Sequence, residues 1–329
     1  MNSRPLTPRR LASALLCWAV PLALGAAAQE GAPAPDPAAY QKEVAAWRAD
    51  RIASLKRPDG WLSDVGRFRI EEGESLVGSD PAAQVVLPAG KAPAFVGTLL
   101  RHGDAVKFVP APALAATVTA ERHRMGDHGL IEPAPAGAPV VGPLLLSDDN
   151  TEEGPTVVHV GSISFYVIRR FDKLLVRVKD SQASGIAAFQ GIDSFPASAE
   201  WRVVARYEAY NPPKPVTITN VLGETEEAGA SGAVVFQRGG QTVRIDAFEE
   251  SGGRLFLIFG DQTNAFETYG AGRFIDTDQA PRDGHVVVDF NKAFNPPCAV
   301  SAYAVCPLPP KQNRLPLQVK AGEKTYHPG

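Results

Sequence analysis

Ser162-Ile163-Ser164-Phe165-Tyr166-Val167-Ile168-Arg169 is followed by the turn Phe171-Asp172-Lys173 and then by Leu174-Leu175-Val176-Arg177-Val178-Lys179. Two runs of β-branched and aromatic residues on either side of a short turn read as an antiparallel hairpin. The same pattern recurs outward along the chain, at 202–207, 216–221, 233–238, 242–248, 255–259 and 285–290. Gly239-Gly240 joins two of these runs directly, which favours antiparallel pairing through a two-residue turn. Toward the N-terminus the stretch 61–119 also breaks into short strands, among them the pair around Gly103-Asp104. No long helical pattern separates the strands, so a parallel sheet with crossover helices is excluded.

One helix is expected before the strands. Tyr40, Val44, Trp47, Ile52 and Leu55 fall mostly three to five residues apart, with charges between them, and Pro58-Asp59-Gly60 ends the run. The fold class is therefore mainly β: an antiparallel sandwich or barrel carrying one N-terminal amphipathic helix.

The opening residues place Arg4, Arg9 and Arg10 before an apolar run from Leu11 to Leu24, closed by Ala26, Ala27 and Ala28. That is the layout of a secretory signal peptide, and its apolar core is too short for a membrane span. The reading is a signal peptide over 1–28, a flexible leader over 29–39 and one β-rich domain over 40–329. The stretch 132–155, rich in Pro, Gly and Asp, reads as a surface loop or as a linker between two packed lobes, 40–131 and 156–329. The expected location is periplasmic or secreted, with no membrane span after cleavage.

The chain carries 33 Lys and Arg against 36 Asp and Glu, a net charge of −3. With no basic cluster beyond the signal, nucleic acid is excluded as a partner. Of the three cysteines, Cys17 leaves with the signal. Cys298 and Cys306 remain, and in an oxidising compartment they read as one disulfide that ties a proline-rich loop. Zinc is the rival reading, but two thiols without a nearby histidine pair are an incomplete set.

No nucleophile elbow, zinc-protease motif or phosphate-cradling glycine loop is present. His123-Arg124-Met125-Gly126-Asp127-His128 brings two imidazoles and a carboxylate together, but its spacing fits no ligand motif and its glycine suits a loop. The sequence therefore assigns no metal, and no cofactor is evident. The charges of the last third stand out because they adjoin apolar strands: Asp261 after 255–259, Asp289 after 286–288, and Glu267, Tyr269 and Arg273 between them. On the hairpin, Arg177 and Lys179 share one strand face and Asp180 lies on the other. These groups suit either structural ion pairs or a polar cleft at the strand ends.

Asp289-Phe290-Asn291-Lys292-Ala293-Phe294-Asn295-Pro296-Pro297-Cys298-Ala299, then Cys306-Pro307-Leu308-Pro309-Pro310, Asn313-Arg314-Leu315 and Ala321-Gly322-Glu323-Lys324 form a distinctive ending. Together with Asp59-Gly60-Trp61-Leu62, Glu72-Gly73, Arg177-Val178-Lys179-Asp180 and Glu267-Thr268-Tyr269-Gly270-Ala271-Gly272-Arg273-Phe274, it resembles the domain of unknown function 1684 family. The resemblance implies a secreted or lipid-anchored protein and carries no catalytic mechanism. Leu16 before Cys17 departs from the small residue that lipid anchoring prefers.

The functional expectation is an extracytoplasmic protein that binds a small polar or anionic ligand in a charged cleft. Its candidate residues are Arg177, Lys179, Asp180, Asp261, Glu267, Tyr269, Arg273 and Asp289, with Asn291, Asn295 and Asn313 on the proline-rich rim. The alternatives are a hydrolase using an acid pair from the same set with an activated water, and a structural envelope protein.

Overall fold

The structure is a computed structural model that describes residues 36–126 and 130–327. The expected signal peptide, the expected mature start at Gln29, and Asp127 and His128 lie outside the described residues. Helix α1 spans Pro37–Leu55. It begins three residues before the expected Tyr40 because Asp36 caps it, accepting from the Ala39 N–H at 2.8 Å, and Pro37 supplies a pre-set helical φ. Its Tyr40, Val44 and Leu55 are buried.

The strands follow in chain order. The first group is β1 (Asp64–Arg69), β2 (Gly73–Gly78), β3 (Val85–Val86), β4 (Gly97–His102) and β5 (Ala105–Pro110). Next come β6 (Thr119–Arg122), β7 (Ala138–Pro139), β8 (Leu144–Leu146), β9 (Thr156–Val160), β10 (Ile163–Arg170) and β11 (Lys173–Asp180). The last group is β12 (Arg202–Thr219), β13 (Thr225–Arg238), β14 (Gln241–Glu249), β15 (Leu255–Phe259), β16 (Arg273–Asp276) and β17 (His285–Asp289).

They form three sheets, ordered β1-β11-β10-β9-β6-β7, β3-β2-β4-β5-β8 and β16-β15-β14-β13-β12-β17. Apart from the short parallel pair β2 and β3, the sheet pairings are antiparallel. The fold is mainly β, as the alternating pattern requires. The expected strands at 202–207 and 216–221 prove to be one strand, β12, whose pairing with β13 shifts between Ala209 and Lys214. That bulge takes up Pro212 and Pro213, which cannot donate to a ladder.

The first two sheets face each other across one apolar core, with Val77, Leu99 and Phe108 of one against Phe165, Val176 and Val178 of the other. A second core fills the concave side of the third sheet, where Val234, Ile245, Leu257, Phe259, Ile275 and Val288 meet Leu315, Val319 and Ala321 of the C-terminal segment. A third cluster joins Leu55 and Trp61 to Ile258, Phe274, Phe294 and Cys306. It places the outer face of the hairpin strand β11 beside the proline-rich loop.

Candidate anion-binding site

Alternation along β11 decides the site. Val176 and Val178 point into the first core, so Arg177 and Lys179 must point the other way. Both are buried, at 2% and 1% exposure. One carboxylate stands between them: Asp64 of β1 lies 2.6 Å from Lys179 Nζ and 3.6 Å from Arg177 Nε. Lys179 also donates to the Gly60 carbonyl at 2.9 Å. The Trp61 ring lies 4.6 Å from the guanidinium and 5.4 Å from the ammonium, so its π face holds both cations.

Cations crowd together here, interspersed with the carboxylates of Asp64, Asp149, Glu224 and Glu250. Arg67 of β1 is the direct cross-strand partner of Arg177, and like charges in that position repel. Burial lowers the Arg67 pKa, and Arg177 and Arg170 lower it further. Arg67 is steadied by donating to the Tyr303 carbonyl at 3.0 Å, and Arg170 by Asp149 at 2.7 Å. Burial lowers the Arg177 pKa, but Tyr166, Asp64 and Asp149 outweigh it and raise it, although its Nε and Nη1 make no hydrogen bond. Arg177 lines a cavity of about 210 Å³ with Trp61, Arg170, Glu250, Phe256, Cys306 and Pro307. A neighbouring cavity of about 320 Å³ shares Arg170, Val305 and Pro307 with it and adds Arg169 and Asn220.

The other candidate residues sit in separate places. Asp180 accepts from the Gln182 N–H at 2.9 Å and shapes the turn after β11. Asp261 and Arg273 form a fully buried pair at 2.8 Å. Arg273 also donates to the carbonyls of Val319 and Ala321, and Asp261 accepts from Thr263 and Val319. Burial lowers the Arg273 pKa, and Asp261 opposes the shift. Glu267 pairs with Lys320 on the surface.

Asp289 accepts from Tyr40 of α1 at 2.8 Å and from Asn291, which also bridges to Ser198. Burial raises the Tyr40 pKa, and the Asp289 charge adds to the rise. Asn295 ties Glu323 and Lys324, and Asn313 accepts from the Asp246 N–H and donates to the carbonyls of Asp246 and Ile258. The amides of the proline-rich ending thus satisfy backbone, and of the charged candidates it is Arg177 that faces the cavity.

Cys298 and Cys306 are free thiols 3.2 Å apart. Tyr269 approaches the same point, 3.6 Å from Cys298 Sγ. A hydrogen bond from Cys306 holds the Cys298 pKa below its usual value, while burial raises that of Cys306. The residues that sequence reasoning missed are Asp64, Arg67 and Arg170. The hairpin register offered a signal for Arg170, which follows the quoted strand, but nothing in the sequence pairs β1 with β11.

Residues 187–324 match the model of a family described as "Protein of unknown function (DUF1684)". The chain resembles the DUF1684 family. The DUF1684 match takes in the third sheet and the proline-rich ending, and it starts after Arg177. The solution NMR structure of an uncharacterized protein from Haloarcula marismortui is 29% identical, covering 43% of this chain and 80% of that one, with a TM-score of 0.37. No curated protein matches.

Proposed function

We propose that this is an exported protein that binds a small carboxylate in the cavity under Arg177. The carrying observation is the buried Arg177 guanidinium, whose Nε and Nη1 make no hydrogen bond, on a cavity that Arg170 and Glu250 also line. Buried guanidinium N–H groups left without a hydrogen bond are costly. A carboxylate would accept from the Nη1 N–H groups in a charge-assisted bond. The walls contributed by Phe256, Phe274 and Pro307 suit a short apolar tail, and the volume suits a molecule of a few carbons. Binding is favoured over hydrolysis by an acid pair because Asp261 and Asp289 are engaged in separate networks.

Export rests on the arginines and apolar run of residues 1–28. In an oxidising compartment Cys298 and Cys306 would join as a disulfide along one wall of the cavity.

Thermal unfolding of the mature chain against short mono- and dicarboxylates, with phosphate and chloride as comparison arms, tests the reading. A carboxylate should raise Tm by several degrees at saturation. Arg177→Lys keeps the charge beside Asp64 but loses the planar fork, and should abolish the shift while the protein stays folded. Arg67→Gln should raise the Tm of the free protein and shrink the ligand shift. If no carboxylate stabilises the wild type, or if Arg177→Lys responds as well as the wild type, the reading fails.

A further inference from the structure

Away from the arginine cavity, at the other end of the first sheet, three side chains meet on one face. Thr119 of β6 pairs with His159 of β9, and Glu121 with Val157. The alignment continues past the strand, where the His123 N–H bonds the Pro155 carbonyl at 3.1 Å. Residues 119, 121 and 123 alternate onto one face, and His159, opposite 119, lies on that same face. The result is a cluster in which the Glu121 carboxylate stands 2.9 Å from His123 Nε2 and 2.5 Å from His159 Nε2. One ligand atom from each residue lies within 4.8 Å of the others.

The contacts around this cluster turn both Nε2 atoms toward one carboxylate. His123 Nδ1 is 2.6 Å from the Glu132 carbonyl. A carbonyl only accepts, so Nδ1 carries a proton and Nε2 is the ring atom turned toward the Glu121 carboxylate. This backbone contact is also the outer support that metal-bound histidines use to fix ring orientation. Glu121 Oε2, withdrawn from solvent, has no hydrogen-bond partner, while His159 Nε2 meets the other carboxylate oxygen. Room for the carboxylate depends on a glycine, because a Cβ at Gly137 would come within 2.1 Å of Glu121 Oε2.

We propose that Glu121, His123 and His159 form a binding site for a divalent metal of the zinc class, with a fourth position open to solvent. Two imidazoles and one carboxylate are the borderline donors that zinc prefers over magnesium or calcium. Bonds of about 2.0–2.2 Å to a shared ion set donor atoms a little over 3 Å apart, within the present span, so small side-chain rotations complete the site. His159, with its side chain 35% exposed, provides the opening through which the ion and a water enter.

The site is independent of the arginine cavity, and its test needs no ligand for that cavity. The tag-free mature chain, stripped with a chelator, is titrated with Co²⁺. One equivalent should bind saturably at micromolar concentration with a visible d–d band, and Zn²⁺ should abolish the band. His159→Ala, at a part-exposed position, and Glu121→Gln, nearly isosteric, should each weaken binding at least about tenfold. Circular dichroism should show both variants folded. His102→Ala, which removes an exposed imidazole beside Glu72, should bind as the wild type does. The proposal is overturned if the stripped wild type takes up no metal at micromolar concentration, if both ligand variants bind unchanged, or if His102→Ala alone removes the signal.

Discussion

At the scale of single residues, most charges in the second half of the chain hold backbone in place. Arg273 shows the logic. It is 0% exposed and reaches Asp261 and the carbonyls of Val319, Ala321 and Glu323, so one side chain fastens the C-terminal segment to β16. Arg273→Ala would leave the Asp261 carboxylate buried without its cation, a change that costs about 3–5 kcal/mol. Urea unfolding should show that loss, and a loss below about 1 kcal/mol would mean that the pair contributes little. Asp246 makes the complementary case. Burial raises its pKa, but Lys214, Tyr210 and Gln312 outweigh burial and hold it below the ordinary 3.8. A depressed folded-state value stabilises the protein above the unfolded pKa, and the benefit is lost as pH falls through the folded one. Asp246→Asn should therefore be less stable than the wild type at neutral pH, and the gap should narrow only below about pH 3.8. A gap of constant size down to pH 2 would assign the effect to packing.

At the scale of elements, helix α1 is held by polar groups as much as by its apolar stripe. Tyr40 reaches Asp289 and Asn291, Arg51 reaches Glu323 and the Asn295 carbonyl, and Lys292 reaches back to Glu43. Tyr40→Phe keeps the ring and removes the donor to a buried carboxylate, so it should cost about 1–3 kcal/mol and raise amide exchange in the helix above that of β13. Equal exchange with an unchanged midpoint would show that the ring alone docks the helix. The helix itself was legible because its apolar positions repeat at helical spacing, and the hairpin 162–179 because alternation and turn agree there. The bulge in β12 was not, since two prolines read locally as a break and only pairing with β13 carries the strand through them. The site was half legible. Alternation placed Arg177 and Lys179 on one face, but the charged groups that crowd around it, Asp64, Arg67 and Arg170, come from pairings and packing far apart in sequence. His159 was missed likewise, because its partner Glu121 adjoins it across β6 and β9 and lies 38 positions away in the chain.

At the scale of the whole molecule, the two ends of the described chain close on the same sheet. Leu315, Val319 and Ala321 are part of the second core, the carbonyls of Val319 and Ala321 are held by Arg273, and Glu323 links Arg51 of the helix to the Asn295 backbone. The ending therefore has the physical role of an added strand although it forms none of the named ones: it covers apolar area and satisfies buried donors. Removing everything after Arg314 would expose the apolar face of the third sheet and leave Arg273 without its carbonyl acceptors and Asp261 without the Val319 N–H, losses that exceed the effect of an ordinary point mutation. The truncated chain should lose its near-ultraviolet circular dichroism and its cooperative thermal transition, while a chain ending after Tyr326 should keep both. Because the first core draws on neither end, limited proteolysis of the shorter chain should still protect the region from β2 to β11. Cooperative unfolding of the shorter chain at the wild-type midpoint would show that the third sheet holds its shape unaided and that the ending only covers it.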